Sequence, residues 1–234
     1  MENVADSHAL QPDEIAFRQW VTTAPDATRL SSFLAESPLF DADGRGRRVR
    51  RFAWHSLPGD EDRSPFPLGR IVVFGSTTIL EALAEHRLDA MRRLLEEHGM
   101  ADTTSDQTRT FPVATVLERP SMLLAPLEDD RGGGISFDDV AAQFLRMAWA
   151  FLPQAELSGR TACAAVRTGR GRAALDRLIE GLPPALGSWH PLLSRVPPRA
   201  LRALLLPRAP ESSALADPKE TENTDDRRRT RTAG

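Results

Sequence analysis

The sequence predicts an α+β fold: an antiparallel sheet of about four to five strands with helices on one face, followed by a small helical appendage. Three observations predict it. The β-branched run Gly69–Gly75, bounded by glycines, is typical of a strand. The apolar stripe within Ile79–Gly99 is typical of a helix, and Ser136 with Asp139 three residues later marks another helix start. The predicted order over residues 12–152 is α-β-β-α-β-β-α.

The N-terminal helical element is predicted from two short apolar repeats. The first begins after Pro12, and the second begins after Asp26, a residue type favoured at N-caps. Each repeat has the i, i+3, i+4 spacing of a helix: Phe17, Trp20 and Val21 in the first, and Leu30, Phe33 and Leu34 in the second. We expect one broken helical element with a single apolar face.

Four strands are predicted from alternation, β-branched residues and turn residues. The first runs from Val49 to Leu57 and the second is Gly69–Gly75. The third and fourth are Phe111 to Glu118 and Ser121 to Leu127, because Pro120 between them cannot donate to a ladder and suits a turn. Gly75–Thr78, at a strand-to-helix junction, offers backbone N–H groups for an anion, although plain helix capping explains the same residues.

Two long helices complete the domain. The stripe of the first is Leu80, Leu83, Leu88, Met91, Leu94 and Leu95, and Gly99 marks its end. The second follows a turn at Gly132–Gly134 and carries Val140, Phe144, Met147, Ala148 and Phe151 on one side. Beyond Pro153 the pattern is that of short helices broken by proline pairs, with no strand signal.

Charge divides the chain into regions. Residues 1–156 carry a net charge of -9, residues 157–206 carry +6, and residues 207–234 are balanced. We therefore predict a disordered terminus at 1–11, an α+β domain at 12–156, a basic helical appendage at 157–206 and a disordered tail at 207–234. Opposite charges on adjacent segments indicate separate partners, or two segments that contact each other.

Motifs for catalysis are lacking in the sequence. There is no GxSxG or GxxxxGK[ST] pattern and no paired His or Cys spacing, so no catalytic residue, cofactor or metal site is predicted. Cys163, the single cysteine, lies among small residues and is expected to be a buried structural thiol. No stretch of about 18 apolar residues suggests a membrane span, and the acidic start lacks the order of a secretory signal. We expect a cytoplasmic protein.

The basic appendage contains part of a helix-turn-helix pattern. Between Thr161 and Leu178 the small and apolar residues have partly suitable spacing, and arginines are available for phosphates: Arg167, Arg170 and Arg172. The match is incomplete, because Arg170 stands where an apolar residue normally packs. DNA binding is therefore an alternative function, and an ordinary helical hairpin whose arginines face solvent or the acidic body is the other explanation.

The succession of elements from Gly69 onward resembles a known family. The strand Arg70–Phe74, the helix Arg87–Glu97, a strand pair and the helix from Phe137 to Phe151 follow the N-terminal helix and first strand. Over residues 12–155 this resembles the class I chaperones of type III secretion (the Tir-chaperone family) and the related YbjN-like domains. These share the order α-β-β-β-α-β-β-α, and they are usually shorter than this chain.

The resemblance implies a non-enzymatic, cytoplasmic homodimer that holds a segment of a secreted client in extended form. An open sheet edge can add a strand from such a client. The side chains implied at the client surface are Val72, Phe74, Val113, Val116, Leu123 and Leu124. The implied dimer contact is Leu88, Met91 and Leu95 on the long helix. Core packing is the alternative explanation for each of these residues.

Three hypotheses follow: a protein-binding chaperone or adaptor, a DNA-binding regulator that uses residues 157–206, and an enzyme with a site assembled from scattered residues. Arginines clustered on an exposed second helix would favour DNA. Arginines paired with carboxylates of the acidic body would favour an accessory protein. An enzyme would gain support from a deep pocket with converging His and carboxylate groups.

Overall fold

The fold is α+β, as the sequence predicts, in a computed structural model that describes residues 8–43, 48–125 and 135–206. Six antiparallel strands form one sheet in the order β2-β3-β4-β5-β1-β6. Their bounds are β1 (Ala16–Thr23), β2 (Phe40–Ala42), β3 (Val49–Trp54), β4 (Gly69–Phe74), β5 (Thr77–Ala82) and β6 (Asp102–Pro112).

Helices surround this sheet and continue into the C-terminal part. Their bounds are α1 (Ala27–Glu36), α2 (Glu85–Glu97), α3 (Val113–Glu118), α4 (Phe137–Met147), α5 (Ala162–Ala165), α6 (Gly169–Leu186) and α7 (Pro198–Leu205). A two-stranded hairpin separates α4 from α5, formed by β7 (Pro153–Gln154) and β8 (Arg160–Thr161). The predicted turn Gly132–Gly134 and the predicted disordered tail 207–234 lie outside the described residues.

Local capping explains the helices that were predicted correctly. The Asp26 carboxylate accepts from the backbone N–H groups of Thr28 and Arg29 at 2.9 Å, which satisfies two unpaired donors at the start of α1. Ser136 and Asp139 form a reciprocal capping box at the start of α4. The strands predicted at Val49 and Gly69 are present as β3 and β4.

The helix predicted after Pro12 is wrong, because this segment is strand β1. Trp20 lies opposite Leu80 of β5, whereas Phe17 lies opposite Phe111 of β6, on the other face of the sheet. Both side chains are buried, so the strand has apolar residues on both faces and its spacing imitates a helix.

The start of the helix predicted at Ile79 is also wrong. Residues Thr77–Ala82 form β5, which pairs with β4 through a tight turn at Gly75, whose φ is +56°. The helix begins at Glu85, so Gly75–Thr78 comprises the turn between β4 and β5 and the first two residues of β5, and it offers no helix N-terminus to an anion.

The strands predicted at Phe111 to Glu118 and Ser121 to Leu127 are likewise wrong. Strand β6 ends at Pro112, and the β-branched run after it is helix α3, which buries Val113, Val116 and Leu117. Pro120–Met122 is a single 3-10 turn, and residues 126 and 127 lie outside the described part of the chain.

The termini of the α+β part are packed more closely than predicted. Leu10 is fully buried and its backbone N–H donates to Phe151 O at 2.9 Å, so residues 8–11 lie against the body. Helix α6 continues through Pro183 and Pro184 to Leu186, where a break was expected. Leu157 and Leu201 of the appendage share one buried cluster with Trp20 of the sheet.

The two faces of the sheet differ. On the inner face, helices α1 and α2 cover Trp20, Phe52, Trp54, Ile71 and Leu80, all of which are buried. The guanidinium of Arg92 on α2 lies 5.2 Å from the centroid of the Trp20 ring, which places α2 on this side. The outer face carries Gln19, Val21, Arg70, Val72 and Glu81, which alternate with the inner residues along β1, β4 and β5.

Candidate functional site

A buried polar network crosses the outer face of the sheet. Arg70 of β4 and Glu81 of β5 are directly opposite each other, and Gln19 of β1 is opposite Glu81. The Arg70 guanidinium forms an ion pair with Glu81 Oε2. Gln19 Nε2 donates to Glu81 Oε1 at 2.6 Å. Three strands are therefore linked through side chains as well as through their backbones.

The same network holds two segments that lie over the outer face. Gln19 accepts from the backbone N–H of Leu124 at 3.0 Å and donates to its carbonyl at 2.9 Å. With its amide oriented to satisfy both partners, Gln143 of α4 accepts from the two terminal nitrogens of Arg70 at 3.0 and 3.1 Å. The network thus fixes both the segment after α3 and helix α4 on the sheet.

Burial and charge compensation act in opposite directions on Arg70. Burial alone disfavours its charge, but the adjacent Glu81 carboxylate outweighs burial and raises the pKa of the guanidinium. The pair is therefore charged and mutually neutralised. Because both partners are occupied by each other, the pair positions the surrounding elements rather than offering a free charge to a ligand.

A cleft of about 380 Å³ opens beside this network, between helix α4 and strands β2, β3 and β4. We call it the α4 cleft. Its walls carry both signs of charge above an apolar floor. The polar lining residues are Asp41, Asp43, His55, Arg70, Asp139, Gln143 and Arg146.

His55 has a fixed tautomer in this cleft. Its Nδ1 lies 3.0 Å from the carbonyl oxygen of Ser64, which can only accept, so Nδ1 carries the proton. In the neutral ring, Nε2 is therefore an acceptor, and the nearest charged atom is Asp41 Oδ2 at 3.6 Å. Burial lowers the pKa of His55, against the Ser64 carbonyl, which raises it. The neutral ring thus presents a lone pair next to a carboxylate.

Some charged groups of the cleft already have an ion-pair or hydrogen-bond partner, and others do not. Asp41 forms an ion pair with Arg63 at 2.5 Å, and Asp139 Oδ2 accepts from the Ser136 cap. By contrast, the Asp43 carboxylate and the Arg146 guanidinium have no hydrogen-bond or ion-pair partner in the part of the chain that the structure describes. Among the described residues the cleft therefore contains one carboxylate and one guanidinium without a direct partner, although the Asp43 charge also acts on Arg70.

The other notable feature is the edge strand β6. It spans 11 residues and has β1 as its sole neighbour among the described strands, whereas the opposite edge, β2, spans three residues. Many of its side chains are polar and exposed: Thr103, Thr104, Gln107, Thr108 and Thr110.

The structure separates the residues implied at the client surface into two groups. Phe74 is 43% exposed and Leu124 is 41% exposed, and Leu124 lies over β1 beside the β6 edge. The other four side chains are buried, two of them on helix α3 rather than on a strand: Val72, Val113, Val116 and Leu123. The implied dimer-contact residues Leu88, Met91 and Leu95 belong to the core of the chain, so they present no surface to a second copy.

The arginines of the appendage do not form one exposed cluster. Arg167 contacts the Asp62 carboxylate at 3.2 Å and donates to the Arg63 carbonyl at 3.2 Å, in the loop between β3 and β4. Arg170 is exposed and Arg172 is half-buried on α6. Helix α5, the first helix of the expected helix-turn-helix, spans four residues. Arg167 thus pairs with one carboxylate of the acidic body.

Within the described ranges, no three His, Cys, Asp or Glu side chains are grouped so as to hold a metal ion. Cys163 is buried, and its Sγ lies 3.5 Å from the hydroxyl of Ser64. None of the helices described there combines the length and apolar character needed to cross a membrane.

The polar groups that form the network and the cleft were not predicted from the sequence. Arg70 and Glu81 each lie within an otherwise apolar strand run. This position could have indicated a buried ion pair, because a charge inside such a run is buried only with a partner. Gln19, His55 and Arg146 gave no comparable signal. Their partners lie far away in sequence, for example Gln19 and Leu124.

In comparisons with known proteins, no family model, no curated protein and no solved structure matches the chain.

Proposed function

We propose that the chain is a protein-binding adaptor that holds an extended segment of another protein beside strand β6. The single observation that supports this is the long, exposed edge that β6 presents at one side of the sheet. The backbone groups of an edge strand that point away from the sheet form a template for one more strand.

The composition of β6 suits a recognition edge that must stay soluble when empty. Its exposed threonines and Gln107 are strand-compatible yet polar, and Asp102 and Arg109 add charge. The shorter edge β2 gives an added strand too few backbone partners. A partner strand would therefore pair with β6 and not with β2.

Side chains beside β6 supply a means of selectivity. Leu124 is exposed and is held over β1 by Gln19, while Phe111 is half-buried beneath the guanidinium of Arg109, 4.9 Å from its ring centroid. Alternate side chains of an added strand would point to the outer face near these groups, and the intervening ones would lie near Thr108 and Thr110 on the inner face.

The narrower proposal follows from the chaperone resemblance: the partner is a secreted protein held in extended form by a cytoplasmic homodimer. A dimer would need a surface other than Leu88, Met91 and Leu95, because these side chains are buried in the core of the chain. The DNA-binding alternative receives less support, since Arg167 is engaged by Asp62.

Hydrogen exchange tests the adaptor proposal directly. Peptides selected from a random peptide library against the full chain are titrated into it, and amide exchange is followed by NMR. We expect slower exchange at alternate amides within Asp102–Pro112, since alternate N–H groups point away from β1. Exchange in Phe40–Ala42 serves as the internal control and should not change.

A pair of proline variants sharpens the test. Gln107→Pro and Thr108→Pro each remove one N–H, and neighbouring N–H groups of a strand point in opposite directions. The variant that retains parental stability is the one whose N–H faces away from β1, and it should lose peptide binding. Parental affinity in that variant, or a library that yields no binder, would overturn the proposal.

A further inference from the structure

We propose that the α4 cleft binds a small zwitterion that carries a protonated amine and a carboxylate, such as a free α-amino acid. The inference goes beyond the adaptor function, because the cleft borders β2, β3 and β4 while the proposed recognition edge β6 lies at the opposite side of the sheet.

The wall formed by β2 and β3 carries hydrogen-bond acceptors. Asp41 and Asp43 present carboxylates, and the neutral His55 ring presents an unprotonated Nε2, because the bond to Ser64 places the ring proton on Nδ1. His55 is 9% exposed, and Asp41 at 3.6 Å cannot satisfy Nε2, since both atoms are acceptors when the ring is neutral. Nε2 has no hydrogen-bond donor among the described residues, and Asp41 is already paired with Arg63. A ligand ammonium would supply a donor to Nε2 and a countercharge to Asp43.

The wall formed by α4 carries a cationic group. Arg146 lines the cleft and lies close enough to His55 for its charge to oppose protonation of that ring. Its guanidinium has no partner in the described ranges. Arg70, the other cation of the cleft, is already neutralised by Glu81. A ligand carboxylate would therefore pair with Arg146 and not with Arg70, in the bidentate geometry that guanidinium groups favour.

Size and floor agree with this class of ligand. A volume of about 380 Å³ lies at the small end of the range for ligand pockets. Between the two charged walls the cleft is lined by Ala42, Ala53, Pro67, Ala142 and Met147. An aliphatic or short side chain of the ligand could rest there while its two charges reach opposite walls.

Binding is tested with the full chain and each of the 20 common amino acids at millimolar concentration, by amide chemical-shift changes in NMR. We expect at least one to shift the signals of the cleft residues in a saturable way. For the best binder, its decarboxylated amine and its N-acetyl derivative each lack one charge, and each should bind at least about tenfold more weakly.

Two variants and two matched controls locate the site. Arg146→Gln and Asp43→Asn should each weaken binding at least about tenfold without changing the thermal midpoint. Arg177→Gln, on the exposed side of α6, and Asp138→Asn, next to Asp139 on α4, should bind as the parent does.

Three results would overturn the proposal: no amino acid binds, Arg146→Gln binds as tightly as the parent, or the amine alone binds as tightly as the amino acid. None of them bears on the exchange pattern of β6, so the proposed adaptor function stands or fails independently.

Discussion

The inner and outer faces of the sheet are stabilised in different ways, although they are built from the same strands. Leu80 and Glu81 are neighbours on β5, and both side chains are buried. Leu80 packs among aromatic and aliphatic side chains under α1 and α2, whereas Glu81 is held by Arg70 and Gln19. The inner face depends on apolar burial, whereas the outer face combines this polar network with the apolar cluster of Val49, Val72 and Ile79.

The outer face borders both proposed binding regions. The apolar inner face is covered by α1 and α2, so its apolar side chains pack within the chain and are not exposed to a ligand. On the outer face the network holds α4 and the segment at Leu124 at fixed positions, and the α4 cleft and the side of the β6 edge lie next to them. Buried polar groups thus position both candidate binding regions.

The largest expected effect is the loss of one partner of the buried ion pair. Glu81→Leu removes the direct partner of Arg70 and leaves only the weaker influence of the Asp43 and Asp139 charges, so it should lower the free energy of unfolding by up to about 3–5 kcal/mol. The matched inner-face variant Leu80→Ala removes apolar burial and should lower it by about 2–5 kcal/mol. Urea unfolding followed by circular dichroism measures both.

The double variant Arg70→Leu/Glu81→Leu separates the two mechanisms. Without a charge left buried, it should be more stable than Glu81→Leu alone, although Gln19 and Gln143 lose partners. A double variant that is no more stable than the single one would show that charge compensation does not govern the outer face.

An intermediate effect is expected at Gln19. Gln19→Leu removes both hydrogen bonds to the Leu124 backbone and the bond to Glu81, which should lower the free energy of unfolding by about 1–3 kcal/mol. Hydrogen exchange at the amide of Leu124 should become faster, while exchange on α2 should not. Unchanged exchange at Leu124 would mean that the network does not position this segment.

The sequence predicts strands β3 and β4 better than strands β1, β5 and β6. Phe52 and Trp54 on β3 and the glycine-bounded run of β4 were placed correctly, because alternation and turn residues are local signals. Strand β6 was missed because an exposed edge strand of Asp, Thr and Gln has no apolar alternation. Strand β5 was merged with α2, since two residues separate them and the apolar spacing continues from Leu80 to Leu88.

The candidate sites were not predictable from local patterns. The tautomer of His55 is set by its hydrogen bond to Ser64. The nearby charges come from Arg63, in the loop before β4, and from Arg146 on α4. Gln19 meets Leu124, a partner 105 residues away. Such contacts depend on the tertiary arrangement, which single-sequence periodicity does not contain. Leu124 was nonetheless named among the client-surface residues, because the chaperone resemblance implied it from its position in the strand predicted at Ser121 to Leu127.

The smallest expected effect is the pH dependence contributed by His55. Burial lowers its pKa from 6.5 in the folded chain, and the charges of Arg63 and Arg146 act in the same direction, while the Ser64 carbonyl and Asp41 act against it. The unfolded chain therefore binds the proton more readily. Its contribution to stability is full above about pH 6.5 and is lost as the pH falls toward the lowered folded pKa.

Urea unfolding at pH 7.5 and pH 5.5 measures this contribution in the parent and in His55→Gln, whose amide can still donate to Ser64. We expect the parent to lose more stability on acidification than the variant, because the ring must accept a proton in a buried site. NMR titration of the ring identifies the group responsible. If His55 titrates at or above pH 6.5, the acceptor state of Nε2 at neutral pH is contradicted, and the donor requirement of the α4 cleft loses one of its two groups.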